Sequence, residues 1–397
     1  MTALRGVELP RLFQQRPGTV SLSGGLPDLS VFPMADFAEL SGRLLRLGGR
    51  TLLQYTTPHV SSSLLPAIAE LAEREAICID PGTLVPTAGS QQGLAAVARI
   101  VDCDTVMCET PAYPGALAAF AHAGLQVEGV SCDSQGVIVE DLCRRVVGLR
   151  DAGRVVRALY VVPTFANPTG ATQSAARRRE LVNACSRLGL LIIEDNPYGL
   201  LDFEGRHWPA LKSLDPERVV YLGTFSKVFA PGLRAGWIDA PSALVAPLRT
   251  AVEVLALSPS AFVQAAIGEF HRKFGWAALL DRYRASYAER AALASQTLRA
   301  TLDDHGTHAT QWVWDEPRGG FYLWLTSVLP TDAGHVALRA AEAGVSVVPG
   351  PHFGTAGEHA SSIRVCYANA PLDKLRTAAT QLAHVLAQTP VAEEARS

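Results

Sequence analysis

The stretch Gly223-Thr-Phe-Ser-Lys-Val-Phe-Ala-Pro-Gly-Leu-Arg-Ala-Gly-Trp237 joins two apolar runs, residues 219–223 and 235–239. It places Lys227 in apolar surroundings, in a chain that contains only four lysines. Burying an ammonium group is costly, so a buried lysine has a lowered pKa and serves as a nucleophile or forms a Schiff base. The alternative, from residue types alone, is a loop that carries one surface lysine.

Phosphate-binding groups lie beside this lysine and in a second segment. Thr224, Ser226 and Arg234 supply two hydroxyls and a guanidinium, a set that suits one phosphate. In Pro86-Thr-Ala-Gly-Ser-Gln-Gln-Gly93 a predicted strand ends and an alanine-rich helix begins, so that Ser90 lies at the helix N-terminus, which favours an anion. An ordinary serine N-cap is the alternative for this second segment.

The runs that flank the lysine belong to an alternation of strands and helices. Predicted strands 157–165, 190–194, 219–223 and 235–239 are continuously apolar, and amphipathic stretches such as 174–188 separate them. This pattern is typical of a sheet that helices cover on both faces. We therefore predict an α/β fold whose large domain has a mainly parallel sheet. A helix over 281–302 and strands over 311–314, 321–325, 345–348 and 363–367 predict a smaller α+β domain.

These patterns divide the chain into four parts. We expect residues 1–50 to form an N-terminal segment, which, as the family resemblance given below implies, contributes to the small domain and to the substrate side of the site. Residues 51–285 form the large domain and residues 286–388 the small C-terminal domain. We expect a frayed polar tail over residues 389–397.

Composition excludes several classes of protein. The 397 residues are 48% hydrophobic, enough for a sizeable core, and their net charge is −3. Because no basic field is present we expect no nucleic-acid partner. No secretory signal and no run of ~18 apolar residues is found, so we expect no membrane contact and a cytoplasmic protein. Seven scattered cysteines without zinc spacing predict reduced thiols and no metal.

Three more polar segments follow predicted strands, where open α/β sheets bind ligands. Glu194-Asp-Asn-Pro-Tyr198 offers a carboxylate for a protonated ring nitrogen and a tyrosine that reaches the same ring. Asn167-Pro-Thr-Gly170 is the second segment, and Glu109-Thr-Pro-Ala-Tyr113 ends in a tyrosine that can stack on a flat ring. Each alone is also an ordinary turn or packing residue. Together with the lysine and the phosphate candidates they match the needs of pyridoxal phosphate (PLP).

The motifs quoted above resemble those of a known family. The motifs from Ser23-Gly-Gly-Leu-Pro-Asp28 to Ile363-Arg-Val365, nearly the whole chain, are similar to those of fold-type I, class I/II PLP-dependent aminotransferases. The branch most similar contains 2-aminoadipate and kynurenine aminotransferases and the aminotransferase-like domains of certain bacterial regulators. The resemblance implies the aminotransferase fold, with PLP in the large domain, and a homodimer with shared active sites.

The resemblance also implies a role for each motif residue. It implies that Lys227 forms the aldimine with PLP and that Asp195 holds the ring nitrogen. Tyr113 would stack on the ring, while Tyr198 and Asn167 would contact its phenolic oxygen. The phosphate would be held by Thr224, Ser226, Arg234, Ser90, Gln91 and the partner subunit's Tyr55. On the substrate side the resemblance implies Gly25, Asn167 and Arg364.

Arg364 lies in the strand-like run Ser361-Ser-Ile-Arg-Val-Cys-Tyr367. Ile363, Val365 and Tyr367 alternate with it, so the arginine points to the opposite face of a pleated strand. That face is either solvent, with an ion pair at the rim, or the substrate site. The resemblance implies that Arg364 binds the α-carboxylate of the substrate, which a planar guanidinium can hold through two hydrogen bonds.

We predict that the chain moves an amino group between an amino acid, or an amino-acid-like substrate, and a 2-oxo acid through the Lys227 aldimine. A β-eliminating C–S lyase, or a decarboxylating or deaminating enzyme, remains an alternative because it shares the steps through the external aldimine. A non-catalytic PLP-sensing module is a third hypothesis. The near-neutral charge and the missing N-terminal DNA-binding domain argue against it.

Overall fold

An eight-stranded sheet forms the centre of the molecule in the computed structural model, which describes residues 18–57, 59–305 and 311–389. The strands of the described chain are β1 (Val20–Ser21), β2 (Leu84–Thr87), β3 (Thr105–Thr110), β4 (Gln126–Asp133), β5 (Gly136–Val137), β6 (Val156–Val161), β7 (Leu191–Asp195), β8 (Val219–Thr224), β9 (Gly236–Asp239), β10 (Trp312–Val313), β11 (Tyr322–Ser327), β12 (Val345–Ser346), β13 (Val348–Pro349) and β14 (Ser362–Cys366).

The strand order across the central sheet is β2-β9-β8-β7-β6-β3-β4-β5. The five strands from β8 to β4 are parallel to their neighbours, whereas β9 is antiparallel to both β2 and β8, and β5 is antiparallel to β4. Adjacent residues such as Ile192 and Ile193 on β7 are both fully buried, because layers of helices cover both faces. The predicted α/β fold with a mainly parallel sheet is confirmed.

The helices fill the connections between strands and the space beside them. They are α1 (Met34–Gly48), α2 (Leu65–Glu73), α3 (Ser90–Ile100), α4 (Pro114–His122), α5 (Val139–Asp151), α6 (Ala175–Leu188), α7 (Ser242–Ala256), α8 (Ala261–Phe274), α9 (Ala277–Asp304), α10 (Ala333–Glu342) and α11 (Leu372–Ala387). Short 3-10 turns occur at Leu29–Val31, Gly49–Leu53, Leu211–Ser213, Pro231–Leu233 and Gly350–Phe353.

A second sheet of four strands, in the order β10-β11-β14-β13, forms the core of the smaller unit. Strand β1 joins this unit from the N-terminal segment, since it pairs in parallel with β12. The domain boundaries at residues 50, 285 and 388 stay predictions. Thr389, which was expected in the frayed tail, is buried, and its hydroxyl donates to the carbonyl of Val385 at 2.8 Å. Residues 1–17 of the predicted N-terminal segment and 390–397 of the predicted tail lie outside the described residues.

Two predicted strands differ from the structure for local reasons. The strand expected over 157–165 ends at Val161, because Pro163 has no N–H for the ladder and Phe165 has a φ of 49°. The strand expected over 345–348 consists of two short strands with different partners. Its first half pairs with β1 and its second half pairs with β14, so Val347 lies where the chain leaves one sheet for the other.

Helix α9 connects the two units. It begins before the predicted residue 281 and is 28 residues long. Near its start the Tyr283 hydroxyl donates to the carbonyl of Phe229, at 2.7 Å, in the segment just after Lys227. Farther along, α9 packs against α11 of the smaller unit. One long helix therefore contacts both the lysine segment and α11 of the smaller unit.

The structure also shows the state of the cysteines and the length of the apolar helices. All seven cysteines are unpaired in the structure. Among the described helices, none is by itself long and apolar enough to cross a membrane; α7 and α8 pass such a test only as a pair, which is bent by 114°.

Candidate active site

Polar side chains from several strand ends meet in a cavity of about 320 Å³. Because β3, β6, β7 and β8 are parallel, the segments that follow them emerge at the same edge of the sheet. All of the predicted site residues except Tyr55 line this cavity, whose full lining is Gly25, Leu26, Ser90, Gln91, Tyr113, Pro114, Val162, Asn167, Asp195, Pro197, Tyr198, Thr224, Ser226, Lys227, Pro231, Arg234, Tyr322 and Arg364.

Lys227 projects into the cavity from the segment after β8. Its Nζ donates to the carbonyl oxygen of Gly25 at 2.7 Å and lies 5.6 Å from the ring centre of Phe321. The pKa of Lys227 is lowered to about 8, mainly by burial; the Arg234 and Arg364 guanidinium groups act in the same direction, whereas Cys366 and Asp195 act in the opposite direction. A lysine in this setting is a far better nucleophile near neutral pH than an exposed one.

One end of the cavity is suited to an anion. The Thr224 hydroxyl donates to the Ser226 hydroxyl at 3.0 Å, and the Arg234 guanidinium donates to the carbonyl of Ala88 at 2.9 Å. Helix α3 begins here at Ser90, and its N-cap is Gly89, which makes no side-chain capping bond. The first amides of the helix are thus directed at the same end as the arginine. The alternative of a serine N-cap at Ser90 is wrong.

Gly89 has the backbone conformation that this close approach requires. Its φ is 89°, in the left-handed region that favours glycine. A Cβ atom at this position would lie 2.7 Å from Nη2 of Arg234. A Cβ atom at residue 89 would therefore displace the guanidinium from its present position at the helix N-terminus.

Asp195 is the last residue of β7 and lines the cavity. Oδ2 accepts a hydrogen bond from the Tyr160 hydroxyl at 2.8 Å, whereas Oδ1 is buried and has no partner among the described residues. Burial raises the pKa of Asp195 to about 6, against the lowering effects of the Tyr160 hydrogen bond and of Lys227. A buried, unpartnered carboxylate oxygen needs a donor. The protonated ring nitrogen of PLP fits this need.

Arg364 lies on β14 and is only 5% exposed. Its Nη1 donates to Asn167 Oδ1 at 2.8 Å, and its Nη2 donates to the carbonyl of Ser23. The guanidinium lies between two aromatic rings, 4.5 Å from the centre of Tyr322 and 4.9 Å from that of Phe353. Because the side chain is buried and lines the cavity, the solvent-facing alternative is wrong. Aromatic rings hold the guanidinium without neutralising its charge.

The sequence did not single out Tyr322 or Tyr160. The Tyr322 hydroxyl is 3.0 Å from the hydroxyl of Tyr198, and it also fills the space beside the Cα atom of Gly25. Burial raises the pKa of Tyr322 to about 12, so this phenol stays protonated near neutral pH. In the sequence, each of these two tyrosines lies within an apolar run, where its hydroxyl is the polar group of the side chain. A tyrosine that only packs in a core has the same pattern.

Tyr55 lies outside the cavity. Its side chain is 77% exposed, and it follows the 3-10 turn Gly49–Leu53. Its contact with the phosphate of a partner subunit stays a prediction. Among the described residues, no group of three or more His, Cys, Asp or Glu side chains could hold a metal ion.

Comparisons of the sequence and of the fold with known proteins identify the family of this chain. Residues 21–382 match the family model described as aminotransferase class I and II. The chain belongs to this family, and it is a PLP-dependent aminotransferase of fold type I. The aromatic-amino-acid aminotransferase 1 of Thermococcus litoralis is 31% identical over 371 residues, which cover 92% of this chain and 88% of that protein.

Two solved structures share the fold over almost the whole chain. The multiple substrate aminotransferase from Thermococcus profundus has a TM-score of 0.87 and 28% identity, and the match covers 99% of this chain and 96% of that one. The α-aminoadipate aminotransferase of Thermus thermophilus, complexed with N-(5'-phosphopyridoxyl)-L-leucine, has a TM-score of 0.83 and 30% identity, with coverage of 93% and 92%. The predicted family, cofactor and amino-group transfer are confirmed, and the lyase alternative gains no support.

Proposed function

We propose that Lys227 is the catalytic lysine of amino transfer between an α-amino acid and a 2-oxo acid. The observation that supports this role is the position of its Nζ, in the same cavity as the unpartnered Asp195 oxygen and the Arg364 guanidinium. When bound, PLP supplies an aldehyde for the amine and a ring that acts as an electron sink. The described side chains bind, orient and exchange protons around it.

Lys227 has the proton affinity that its two tasks require. With a pKa of about 8, an appreciable fraction of its Nζ is the free base near neutral pH, and this form is the nucleophile. The same Nζ would also take a proton from the substrate Cα as a general base, and deliver one to the cofactor carbon that accepts the amino group as a general acid. Its hydrogen bond to the Gly25 carbonyl keeps it on the substrate side of the cavity.

Other residues would hold the cofactor and keep its ring protonated. Asp195 Oδ1 would accept the ring-nitrogen proton, and Tyr198 would donate its hydroxyl proton to the phenolic oxygen, with Asn167 beside it. Tyr113, whose side chain lines the cavity, would stack on the ring. The anion end described above would bind the phosphate through Ser90, Gln91, Thr224, Ser226 and Arg234.

The cavity favours substrates with an uncharged side chain. Arg364 and Asn167 would bind the α-carboxylate, while Lys227 and Arg234 serve the cofactor. The described lining has no further cation, and the rest of it includes Leu26, Pro114, Tyr113 and Tyr322. A relative is named as an aromatic-amino-acid aminotransferase. We therefore propose neutral amino acids, aromatic ones included, as the preferred donors over dicarboxylic ones.

Borohydride reduction of the holoenzyme followed by peptide mapping tests the role of Lys227. We expect the reduced label on Lys227 and not on Lys212, which is also buried but donates to two carbonyls, those of Pro216 and Val219. A panel of donors then tests the substrate class, with phenylalanine, tyrosine and leucine against glutamate and 2-aminoadipate. A label on another lysine would contradict the catalytic assignment, and faster turnover of the dicarboxylic donors would contradict the substrate class alone.

A homodimer is part of the proposal. Exposed apolar side chains concentrate between residues 34 and 55 and at the end of α7, where Val254 is 78% exposed. Helix α8 follows α7 directly and contacts both α1 and the turn Gly49–Leu53, so the elements that carry these side chains are neighbours. Large exposed apolar patches mark protein–protein interfaces. A second copy on this surface would bring the partner subunit's Tyr55 towards the phosphate.

A cytoplasmic location, supported by the unpaired thiols, completes the proposal.

A further inference from the structure

We propose that Tyr160 is a positioning residue, which aims the Asp195 carboxylate at the ring nitrogen of the cofactor without neutralising its charge. The inference depends on the role proposed for Asp195. Neither residue type nor motif marks Tyr160 in the sequence; its place next to Asp195 follows from the order of the strands.

The register of the sheet brings the two side chains together. On β6, Tyr160 is directly opposite Ile193 of the parallel strand β7. Asp195 is two residues beyond Ile193, so both side chains point to the same face of the sheet. The Tyr160 hydroxyl then reaches Asp195 Oδ2 at 2.8 Å. The tyrosine is fully buried, and its ring is fixed edge-to-face against Phe120, with 5.7 Å between the ring centres.

This hydrogen bond decides which way the carboxylate faces. A carboxylate can rotate about the bond to its Cβ atom, and the anchored Oδ2 removes that freedom. Asp195 lines the cavity, and its other oxygen, Oδ1, is buried and has no partner among the described residues. A pre-oriented acceptor spends no free energy on reorganisation when the ring nitrogen binds.

The chemical nature of the anchor matters as much as its position. A phenol hydroxyl satisfies one oxygen and adds no formal charge, whereas an arginine or lysine would offset the carboxylate charge that stabilises the ring proton. The preceding residue, Glu194, shows the opposite arrangement. Its carboxylate accepts the backbone amides of Leu211 and Lys212 at 2.9 and 2.8 Å, near the cations of Arg178 and Lys212. The two adjacent carboxylates thus have different surroundings. Nearby cations and backbone amides balance the charge of Glu194, whereas the charge of Asp195 remains available to the ligand.

A matched pair of substitutions separates positioning from structure. Tyr160→Phe removes the hydroxyl that bonds to Asp195. Tyr221→Phe, on β8, removes an equally buried hydroxyl that bonds to the carboxylate of Glu75 instead. Both variants are prepared as holoenzymes with PLP labelled with ¹⁵N in its ring. The readouts are the ¹⁵N chemical shift, kcat and KM for an amino-acid donor, and the thermal midpoint.

In Tyr160→Phe we expect the ¹⁵N resonance to move towards the value of an unprotonated pyridine, because the carboxylate turns away or becomes a stronger base. We expect kcat to fall about 10- to 100-fold, as for the loss of one hydrogen bond to a charged group, while KM changes little. In Tyr221→Phe we expect a lower thermal midpoint with the ¹⁵N shift of the wild type.

Asp195→Asn distinguishes failure of the inference from failure of the proposed function. If Asp195→Asn moves the ¹⁵N resonance but Tyr160→Phe leaves both the resonance and kcat as in the wild type, Tyr160 has only a structural role and the inference is wrong. If Asp195→Asn leaves the resonance unchanged, the role proposed for Asp195 fails, and that of Tyr160 fails with it.

Discussion

At Gly25 the packing leaves no room for a methyl group, because a Cβ atom there would overlap the Tyr322 hydroxyl. We expect Gly25→Ala to displace Tyr322 and the Arg364 guanidinium that packs on its ring, and to lower kcat/KM for amino-acid donors about 10- to 100-fold. Without that hydroxyl, the nearest ring atom would be 3.4 Å from the new Cβ. We therefore expect Gly25→Ala to lower kcat/KM much less when Tyr322 is already phenylalanine. This effect is measured by comparing the double variant with Tyr322→Phe alone.

Equal impairment of Gly25→Ala in the presence and absence of the Tyr322 hydroxyl would show that the glycine acts through its backbone. The carbonyl of Gly25 does accept the hydrogen bond from Lys227 Nζ, so this outcome has a physical basis of its own.

Lys227 gives the apoprotein a pH dependence whose sign is fixed by its pKa. Burial lowers that pKa to about 8 from the 10.5 of an exposed lysine, so between these two pH values the unfolded chain binds more protons than the folded one. Stability then rises with pH across this window, and below pH 8 the buried charge costs about 3 kcal/mol. We expect apo Lys227→Met to melt above the wild type at pH 7, with the gap narrowing as the pH rises towards 10.5.

Calorimetry of the apoproteins measures this gap, and Lys374→Met, at an exposed lysine of α11, is the control. A difference between Lys227→Met and the wild type that stays constant with pH would mean that packing, and not the buried charge, separates the two proteins.

At the scale of an element, the N-terminus of α3 is the feature that binds the phosphate in the proposed function. Gly89→Ala would place a methyl group against the Arg234 guanidinium in addition to straining a residue with a φ of 89°. Gly153→Ala is the matched control, because its φ is 81° but nothing lies within 4 Å of the new Cβ. We expect both variants to be less stable, and only Gly89→Ala to bind PLP about 10- to 100-fold more weakly.

Titration of the apoproteins with PLP, followed by fluorescence, measures these affinities. The phosphate assignment would be wrong if Gly89→Ala bound PLP as tightly as Gly153→Ala.

The elements also show how far a sequence can predict a site. Lys227, Asp195 and Ser90 each lie within four residues of the end of an apolar run, and ligand sites of open α/β sheets form at strand ends, so their proximity could be predicted. Tyr160 and Tyr322 could not be identified in this way. Their neighbours depend on which strand lies beside β6 and β11, and the apolar periodicity of a strand does not specify its neighbour.

At the scale of the whole molecule, the exposed apolar surface predicts how the subunits associate. Leu53 is 73% exposed in the turn that leads to Tyr55. If this surface is the dimer interface, Leu53→Asp loses the burial of a leucine and buries a charge, so we expect the dimer to dissociate at about 10- to 100-fold higher concentration or more. Leu338→Asp, at a position 65% exposed on α10, is the control.

Sedimentation equilibrium at micromolar concentration measures the association, and PLP affinity is followed in parallel. An unchanged dimer in Leu53→Asp would move the interface elsewhere, while a monomer with full activity would refute the shared site.

The single helix α9 has a consequence for engineering. At 1.5 Å per residue its 28 residues span about 42 Å. The helix is bonded near its start to the lysine segment and packed later against α11. A chimera can take the four-stranded sheet that carries Arg364 from another aminotransferase and be joined to this chain within this rod-shaped helix. A junction that adds or deletes one residue would rotate everything downstream by about 100° around the rod axis. Grafting between such enzymes therefore has to preserve helical phase as well as sequence similarity.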